Sequence, residues 1–403
     1  MSEIGEALAR ELGRERVTDD AAALAAHRTD YWILAHLRAR QGRLAGGPAC
    51  VVKPRSTAEV ATAIQARGYT TGNYPQSIDR STVGGWVATR AAGQFSTRYG
   101  NIEDLCLGLE VVLPSGEVAR CAHVPRAAVG PQLRELFLGS EGTLGVVTEV
   151  VLRLHPLPAA RQLASFAFPS MAAGLDTVRR LLRVGWRPAV LRVYDALESG
   201  RHFPTAAPVD HAMLIVVSEG PTALVAAEMA ACAEEAAAGG GQATGAAPAA
   251  HWLETRNTVP SWDFFLAREM LADTIEVAAT WDRIGTLYDT VVAALASAPG
   301  VIMASGHSSH AYAQGTNIYF TFVLKPADFA NAEADYLEGR SRHRVTRSHW
   351  TDVPKLRATA SATRLIATVT RAIRIAGTAM THGSRVIPLR FSLIMSAQSA
   401  TGG

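Results

Sequence analysis

Apolar positions along the chain follow two different periods, and the changes between them mark out elements. Ile4, Leu8 and Leu12 recur every four residues, the spacing of a helical stripe. Cys50-Val51-Val52 reads as a short strand turned by Pro54, and Ser56-Thr57-Ala58-Glu59 has the capping-box pattern that opens a helix through Val60 to Ile64. Leu109 to Leu113, the turn Pro114-Ser115-Gly116 and Glu117 to Arg120 predict strand, tight turn and strand. Ser140 to Gly145 leads into Val146 to Leu154, whose later residues alternate as in a strand, and His155-Pro156-Leu157-Pro158 ends the unit. Beyond that boundary, Ala223 to Ala238 is Ala-rich and predicted helical as far as the breaker Gly239-Gly240-Gly241. Ile284, Leu287, Val291 and Leu295 make a core-facing helical stripe, and Asn317 to Leu324 is rich in the aromatic and β-branched residues of a strand. The second half thus mixes helices and strands, and the chain shows no internal repeat.

Composition narrows the class. Of 403 residues, 48% are apolar and 19% charged, which excludes a largely disordered chain. The most apolar stretch, Val291 to Ala304, is interrupted by Pro299, so no membrane span is expected. Met1 to Glu6 lacks the basic and apolar regions of a secretory signal. Cys50, Cys106, Cys121 and Cys232 have neither zinc-site nor disulfide spacing, and a cytoplasmic location is expected. The net charge of +3 hides an asymmetry: Glu338 to Gly403 holds ten arginines and one lysine against two acids. Those arginines are scattered among Thr and Ala with few aromatics and no recognised module, so no specific nucleic-acid partner is expected.

Two segments carry candidate chemistry. Tyr74-Pro75-Gln76-Ser77-Ile78-Asp79-Arg80-Ser81-Thr82-Val83-Gly84-Gly85-Trp86 sets small hydroxyls ahead of paired glycines, a pattern for backbone N–H groups converging at a helix start. Phe137-Leu138-Gly139-Ser140-Glu141-Gly142-Thr143-Leu144-Gly145-Val146-Val147 places three glycines before an apolar strand, where backbone could pass edge-on against a flat cofactor. Each alone reads better as an ordinary turn.

In this order, with Tyr99-Gly100-Asn101-Ile102-Glu103-Asp104 between them and Val111 to Gly116 following, the series resembles the FAD-binding half of the flavoenzyme family typified by vanillyl-alcohol oxidase and p-cresol methylhydroxylase. Within that family it is most similar to the alkyldihydroxyacetonephosphate synthases and their bacterial relatives. The likeness covers most of residues 1–155, parts of 180–200 and about 250–325. It implies a two-subdomain FAD-binding domain over residues 1–158, an α+β cap domain over 159–337 and a divergent basic segment over 338–403. It implies FAD as cofactor and a small-molecule substrate, no metal, and leaves a homodimer open. Carried over by motif, the flavin contacts would be Gln76, Ser77, Ser81, Thr82, Gly84, Gly85, Thr89, Arg90, Glu141, Gly142, Thr143, Leu144, Gly145, Val146 and Val147, mostly through backbone groups.

Gly306-His307-Ser308-Ser309-His310-Ala311-Tyr312 resembles the cap-domain segment carrying the active-site tyrosine, which makes Tyr312 the candidate acid/base. A strand-edge tyrosine with a solvated hydroxyl is the plain alternative. Arg268 is the candidate anion clamp, through its planar donor fork, although a surface arginine fits its position as well. His307 and His310 are spaced as metal ligands can be, without a further ligand pattern.

The chain departs from the family in two places. The first glycine-rich loop, which would wrap the FAD pyrophosphate, is missing between about residues 64 and 68, where Ala63 to Tyr69 runs straight toward the second loop. The histidine-rich motif is not visible after Leu337, unless Thr381-His382-Gly383 is a remnant. The expected function is flavin-mediated oxidation of a hydroxy acid or chemistry like that of the synthase. The alternative is a degenerate, non-catalytic relative with weak or no FAD binding.

Overall fold

The computed structural model describes residues 3–26, 50–52, 65–79, 81–121, 130–206, 208–258, 264–265 and 267–329. The predicted helix Val60 to Ile64, Arg80 and the basic segment beyond residue 338 lie outside them. The described residues form two compact units, one drawn from residues 3–93 and 100–157, the other from residues 94–99 and 158–329. Among the described residues no helix is long and apolar enough to cross a membrane.

In the first unit, the helix Glu3–Leu12 buries Leu8 and Leu12, as its four-residue stripe requires, with Val17 and Cys50. Strands β1 (Val17–Thr18) and β2 (Val51–Val52) pair antiparallel there, as do β3 (Tyr69–Thr70) and β7 (His155–Pro156). The main sheet has three antiparallel strands in the order β5 (Val118–Cys121), β4 (Cys106–Val112) and β6 (Val146–Leu152). The tight turn predicted between β4 and β5 closes with Leu113 N–H on the Glu117 carbonyl at 2.9 Å, with Gly116 at φ 81°. β4 starts three residues before the predicted strand because Cys106 pairs with Leu152 of β6. The helix Val83–Thr89 lays Trp86 and Val87 against this sheet, in a core with Ile102, Leu109, Val111 and Phe137.

The second unit is built on a seven-stranded antiparallel sheet. Its order is β11 (Gln242–Gly245), β8 (Ala160–Phe168), β10 (Ala212–Gly220), β9 (Val190–Tyr194), β13 (Val301–Ser308), β14 (Gly315–Leu324) and β12 (Leu271–Thr280). The helices Met171–Val184, Thr222–Ala238 and Ile284–Ala296 cover one face and form its core with Leu191, Val193, Phe320 and Phe322. Burying a side chain of this size contributes about 1.5–3 kcal/mol, so this face holds the sheet together. At Gly174 an added Cβ would stand 2.8 Å from Val193 Cγ1, so the first of these helices lies hard against β9. Because strand residues alternate between faces, the residues between those core positions point the other way. They are Arg192 and Tyr194 on β9, Ser305 and His307 on β13, and Tyr319 on β14.

Candidate functional site

In the first unit the two glycine-containing segments meet on one helix. Thr82 caps the helix Val83–Thr89, its Oγ1 accepting from Gly85 N–H at 3.0 Å. At the other end, the carbonyls of Val87 and Ala88 accept from Gly139 N–H and Glu141 N–H, each at 2.9 Å. From there the second segment runs back beside the helix, so that the Val147 carbonyl lies 3.4 Å from where a Cβ on Gly84 would stand. Gly84 and Ala88 are four residues apart, about 6 Å along the helix axis, which is the separation this return covers.

The side chains of these segments mostly hold the segments themselves. Ser81 Oγ donates to the Ser77 carbonyl at 2.7 Å and accepts from Trp86 Nε1 at 2.8 Å. Thr89 Oγ1 bonds the Gly85 carbonyl at 2.8 Å, and Thr143 Oγ1 the Ser140 carbonyl at 2.6 Å. Arg90, left-handed at φ 52°, donates from Nε to the Leu138 carbonyl at 3.2 Å and faces Glu103 and Glu135 at 3.8 and 3.6 Å. Gln76 is exposed, Leu144 is half-buried and Val146 is exposed. Glu141 and Gly142 take positive φ values of 49° and 78°, and nothing lies within 4 Å of a Cβ built on Gly142. The N–H groups of Gly142 and Leu144 find no acceptor among the described residues. The turn is thus an open cradle with free backbone donors, which fits a ligand bound by main chain.

In the second unit, the face of the sheet away from the three helices carries a row of polar side chains. Antiparallel register sets Tyr194 opposite His307 and His307 opposite Tyr319. The rings of Tyr194 and Tyr319 each lie 5.2 Å from that of His307. Glu198, on the helix Ala196–His202 capped by Asp195, is 1% exposed and takes His307 Nδ1 at 2.7 Å. The other imidazole nitrogen, Nε2, meets Arg192 Nη2. Arginine has only donors, so Nε2 must accept and Nδ1 carries the hydrogen given to Glu198. The Arg192 guanidinium lies 5.1 Å from the Tyr194 ring and 5.8 Å from that of Trp252. Its Nε is shut off from solvent and has no acceptor among the described residues.

Tyr312 sits at the end of a second chain on this unit. Its hydroxyl donates to Ser96 Oγ at 3.2 Å, and Ser96 Oγ lies 2.8 Å from His310 Nδ1. Asn317 Oδ1 fixes the approach by accepting from the N–H groups of Ser309 and His310, at 3.0 and 2.8 Å.

Burial sets the charges of this face. Burial and the nearby Arg192 cation hold His307 below its ordinary pKa. The same two causes push His310 down to about 3, and burial followed by Arg201 brings His202 to about 4. Burial works to raise Glu198, but charge attraction to His307, the His307 hydrogen bond and Arg201 outweigh it and leave the carboxyl at about 2. Near neutral pH the three histidines are therefore uncharged and Glu198 is ionised.

The structure thus places Tyr312 in a hydrogen-bonded chain, while Arg268 stands apart from it. Arg268 is exposed, its guanidinium 4.0 Å from the Phe264 ring and donating to the Phe264 carbonyl at 2.8 Å. His307 and His310 turn to different partners, and among the described residues no group of three His, Cys, Asp or Glu could hold a metal. Sequence reasoning passed over Ser96, Arg192 and Glu198. The alternation around Arg192 and Tyr194 marks them as one face of a strand, but nothing in the sequence points to Ser96, 214 residues from its partner His310.

Two family models match the chain. Residues 56–122 match the FAD binding domain family, and residues 157–340 match the C-terminal domain family of FAD linked oxidases. The chain is 35% identical over 273 residues to the uncharacterized FAD-linked oxidoreductase YgcU of Escherichia coli O157:H7, a match covering 64% of this chain and 56% of that protein. It is 43% identical over 132 residues to alkyldihydroxyacetonephosphate synthase of Caenorhabditis elegans, covering 33% of this chain and 22% of the relative. The chain spans about half the length of the relatives it matches. A solved structure of an alkyldihydroxyacetonephosphate synthase shares the fold, with a TM-score of 0.63 and 21% identity over 91% of this chain and 83% of that one.

Proposed function

We propose, from the premise that this chain belongs to the FAD-linked oxidases, that it is a flavin-dependent oxidoreductase. Its substrate is a small molecule whose anionic oxygen is held by Arg192. FAD is the cofactor of the family, and bound FAD supplies the two-electron acceptor. The backbone of Gln76 to Thr82 and of Glu141 to Val147 holds it, with the free N–H groups of Gly142 and Leu144 among the donors. Thr82, Ser81, Thr143 and Arg90 hold those turns in shape.

The single observation that carries the substrate reading is the buried, unpaired Nε of Arg192. An unsatisfied buried donor costs roughly 1–3 kcal/mol, and an oxygen anion removes that cost and takes a charge-assisted hydrogen bond. With the neighbouring histidines uncharged, the Arg192 cation selects a single anionic group such as the carboxylate of a 2-hydroxy acid. Tyr312 is the acid/base, and the hydroxyl of Ser96 links it to neutral His310, whose Nδ1 orients that hydroxyl. Chemistry like that of the synthase, on a substrate with a phosphate group, is the second reading, favoured by the local likeness to that enzyme.

The cofactor domain ends near residue 158 and the cap runs over 159–337, followed by the basic segment 338–403. The short path through Gly68 into β3 leaves out the first pyrophosphate loop, so fewer backbone donors hold FAD and its affinity is lowered. Four free cysteines support a cytoplasmic location. The test is the visible absorption spectrum of the full chain reconstituted with FAD, followed by anaerobic addition of 2-hydroxy acids. Flavin bands that bleach with substrate support the proposal. A chain that takes up no flavin rejects it.

A further inference from the structure

The Glu198–His307 pair has a geometry that a merely structural ion pair would not need. Glu198 is 1% exposed and His307 7% exposed, and Tyr194 and Ser305 of the same face are buried with them. Ser305 Oγ donates to Glu198 Oε1 at 3.0 Å, and Arg201 lies 3.7 Å from the same oxygen, which leaves Oε2 for His307. The carboxylate is thereby held on both oxygens and cannot turn. The rings of Tyr194 and Tyr319 flank the imidazole, so it cannot tip out of plane. What remains variable is the tautomer, and the tautomer decides whether Arg192 Nη2 meets a lone pair or a hydrogen.

We propose that Glu198 and His307 are positioning residues for Arg192: the carboxylate commits the imidazole to the Nδ1–H form, and the bare Nε2 holds one arm of the guanidinium so that Nε faces the substrate's anionic oxygen. This rests on the reading of Arg192 as the substrate anchor. Glu198 touches no substrate; it acts through the ring of His307. A neutral amide in its place can offer a hydrogen to Nδ1 as readily as accept one. The imidazole then takes its Nε2–H form in part of the molecules, that hydrogen confronts Arg192, and the guanidinium rotates.

The experiment uses the full chain with ¹⁵N-labelled histidine and arginine side chains and glycolate as the carboxylate probe. In the wild-type protein His307 is expected as the Nδ1–H tautomer, and glycolate is expected to move the Arg192 Nε signal. In Glu198→Gln the tautomer mixes, and the glycolate concentration needed to move that signal rises by about tenfold, the loss expected for one misdirected charge-assisted hydrogen bond. A wild-type His307 protonated on Nε2 overturns the proposal without any variant having to fold. So does a Glu198→Gln protein with mixed tautomers and unchanged glycolate affinity. Glycolate that leaves Arg192 unmoved in the wild type overturns the anchor reading itself, and the positioning role falls with it; the tautomer signal shows which of the two has failed.

Discussion

Gly145 and Gly142 stand three residues apart in the same turn, yet the structure assigns them different duties, and substituting each with alanine separates the two. At Gly145, with φ 152°, an added Cβ would lie 2.5 Å from the Val112 carbonyl oxygen and 2.7 Å from Val111 Cγ1. Val112 is part of β4 in the middle of the three-stranded sheet, so its carbonyl cannot move aside without breaking the ladder to β5 and β6. Overpacking of this kind costs about 1–3 kcal/mol, and a backbone angle reserved for glycine adds about 1–3 kcal/mol. Gly145→Ala should therefore lose about 2–6 kcal/mol. Gly142, at φ 78°, has nothing within 4 Å of its added Cβ, so Gly142→Ala loses only the left-handed penalty of about 1–2 kcal/mol. For a unit of this size each kcal/mol shifts Tm by about 2–4 °C. Thermal unfolding of the apoprotein, followed by circular dichroism, should place the Gly145→Ala transition well below that of Gly142→Ala. The larger Gly142→Trp should stay folded and lose FAD retention, read by absorbance after desalting. Equal transitions for the two alanine variants would refute the assignment of Gly145 to the strand junction, and undiminished FAD affinity in a folded Gly142→Trp would refute the cradle.

The remaining expectations concern the second unit. Tyr312→Phe should lower kcat by about 10²–10⁴-fold with little change in substrate affinity, because the phenol moves a proton and holds no anion; a KM change alone would contradict that role. Arg192→Lys should weaken the binding of a carboxylate substrate by about tenfold or more, since an ammonium cannot reproduce the guanidinium fork, whereas Arg268→Ala should leave it unchanged; the reverse outcome moves the anchor to Arg268. Stability should fall as pH drops below about 6.5. The unfolded chain takes up protons near the ordinary histidine pKa of 6.5, while folded His310 and His202 refuse them until about 3 and 4. His310 contributes a slope of about 1 kcal/mol per pH unit in that window, and exposed His202 less, because solvent screens it. His310→Gln should flatten the dependence of the urea midpoint on pH between 6.5 and 4. Glu198 works at lower pH: its stabilisation is present above the ordinary glutamate pKa of 4.5 and is lost as pH falls through about 2. Glu198→Gln should therefore narrow the gap in midpoint between pH 6 and pH 3.

The local elements of this protein were legible in its pattern of residues. The four-residue stripe of Leu8 and Leu12 and the stripe from Ile284 to Leu295 each state which side must leave water, and the aromatic and β-branched run Asn317 to Leu324 states a strand, all from the preferences of helix and strand alone. Glycine declared its turns too, because only glycine takes positions such as Gly145 without strain. What the chain could not declare is which strands are neighbours. Period two puts Arg192 and Tyr194 on one face of β9 and His307 on one face of β13, but only the antiparallel register brings Tyr194 opposite His307 and so carries Arg192 to its ring. Glu198 and His307 are 109 residues apart, and Ser96 and His310 are 214 apart. Their partnership depends on loop closures and side-chain packing across the whole sheet, and one-dimensional spacing carries no record of those.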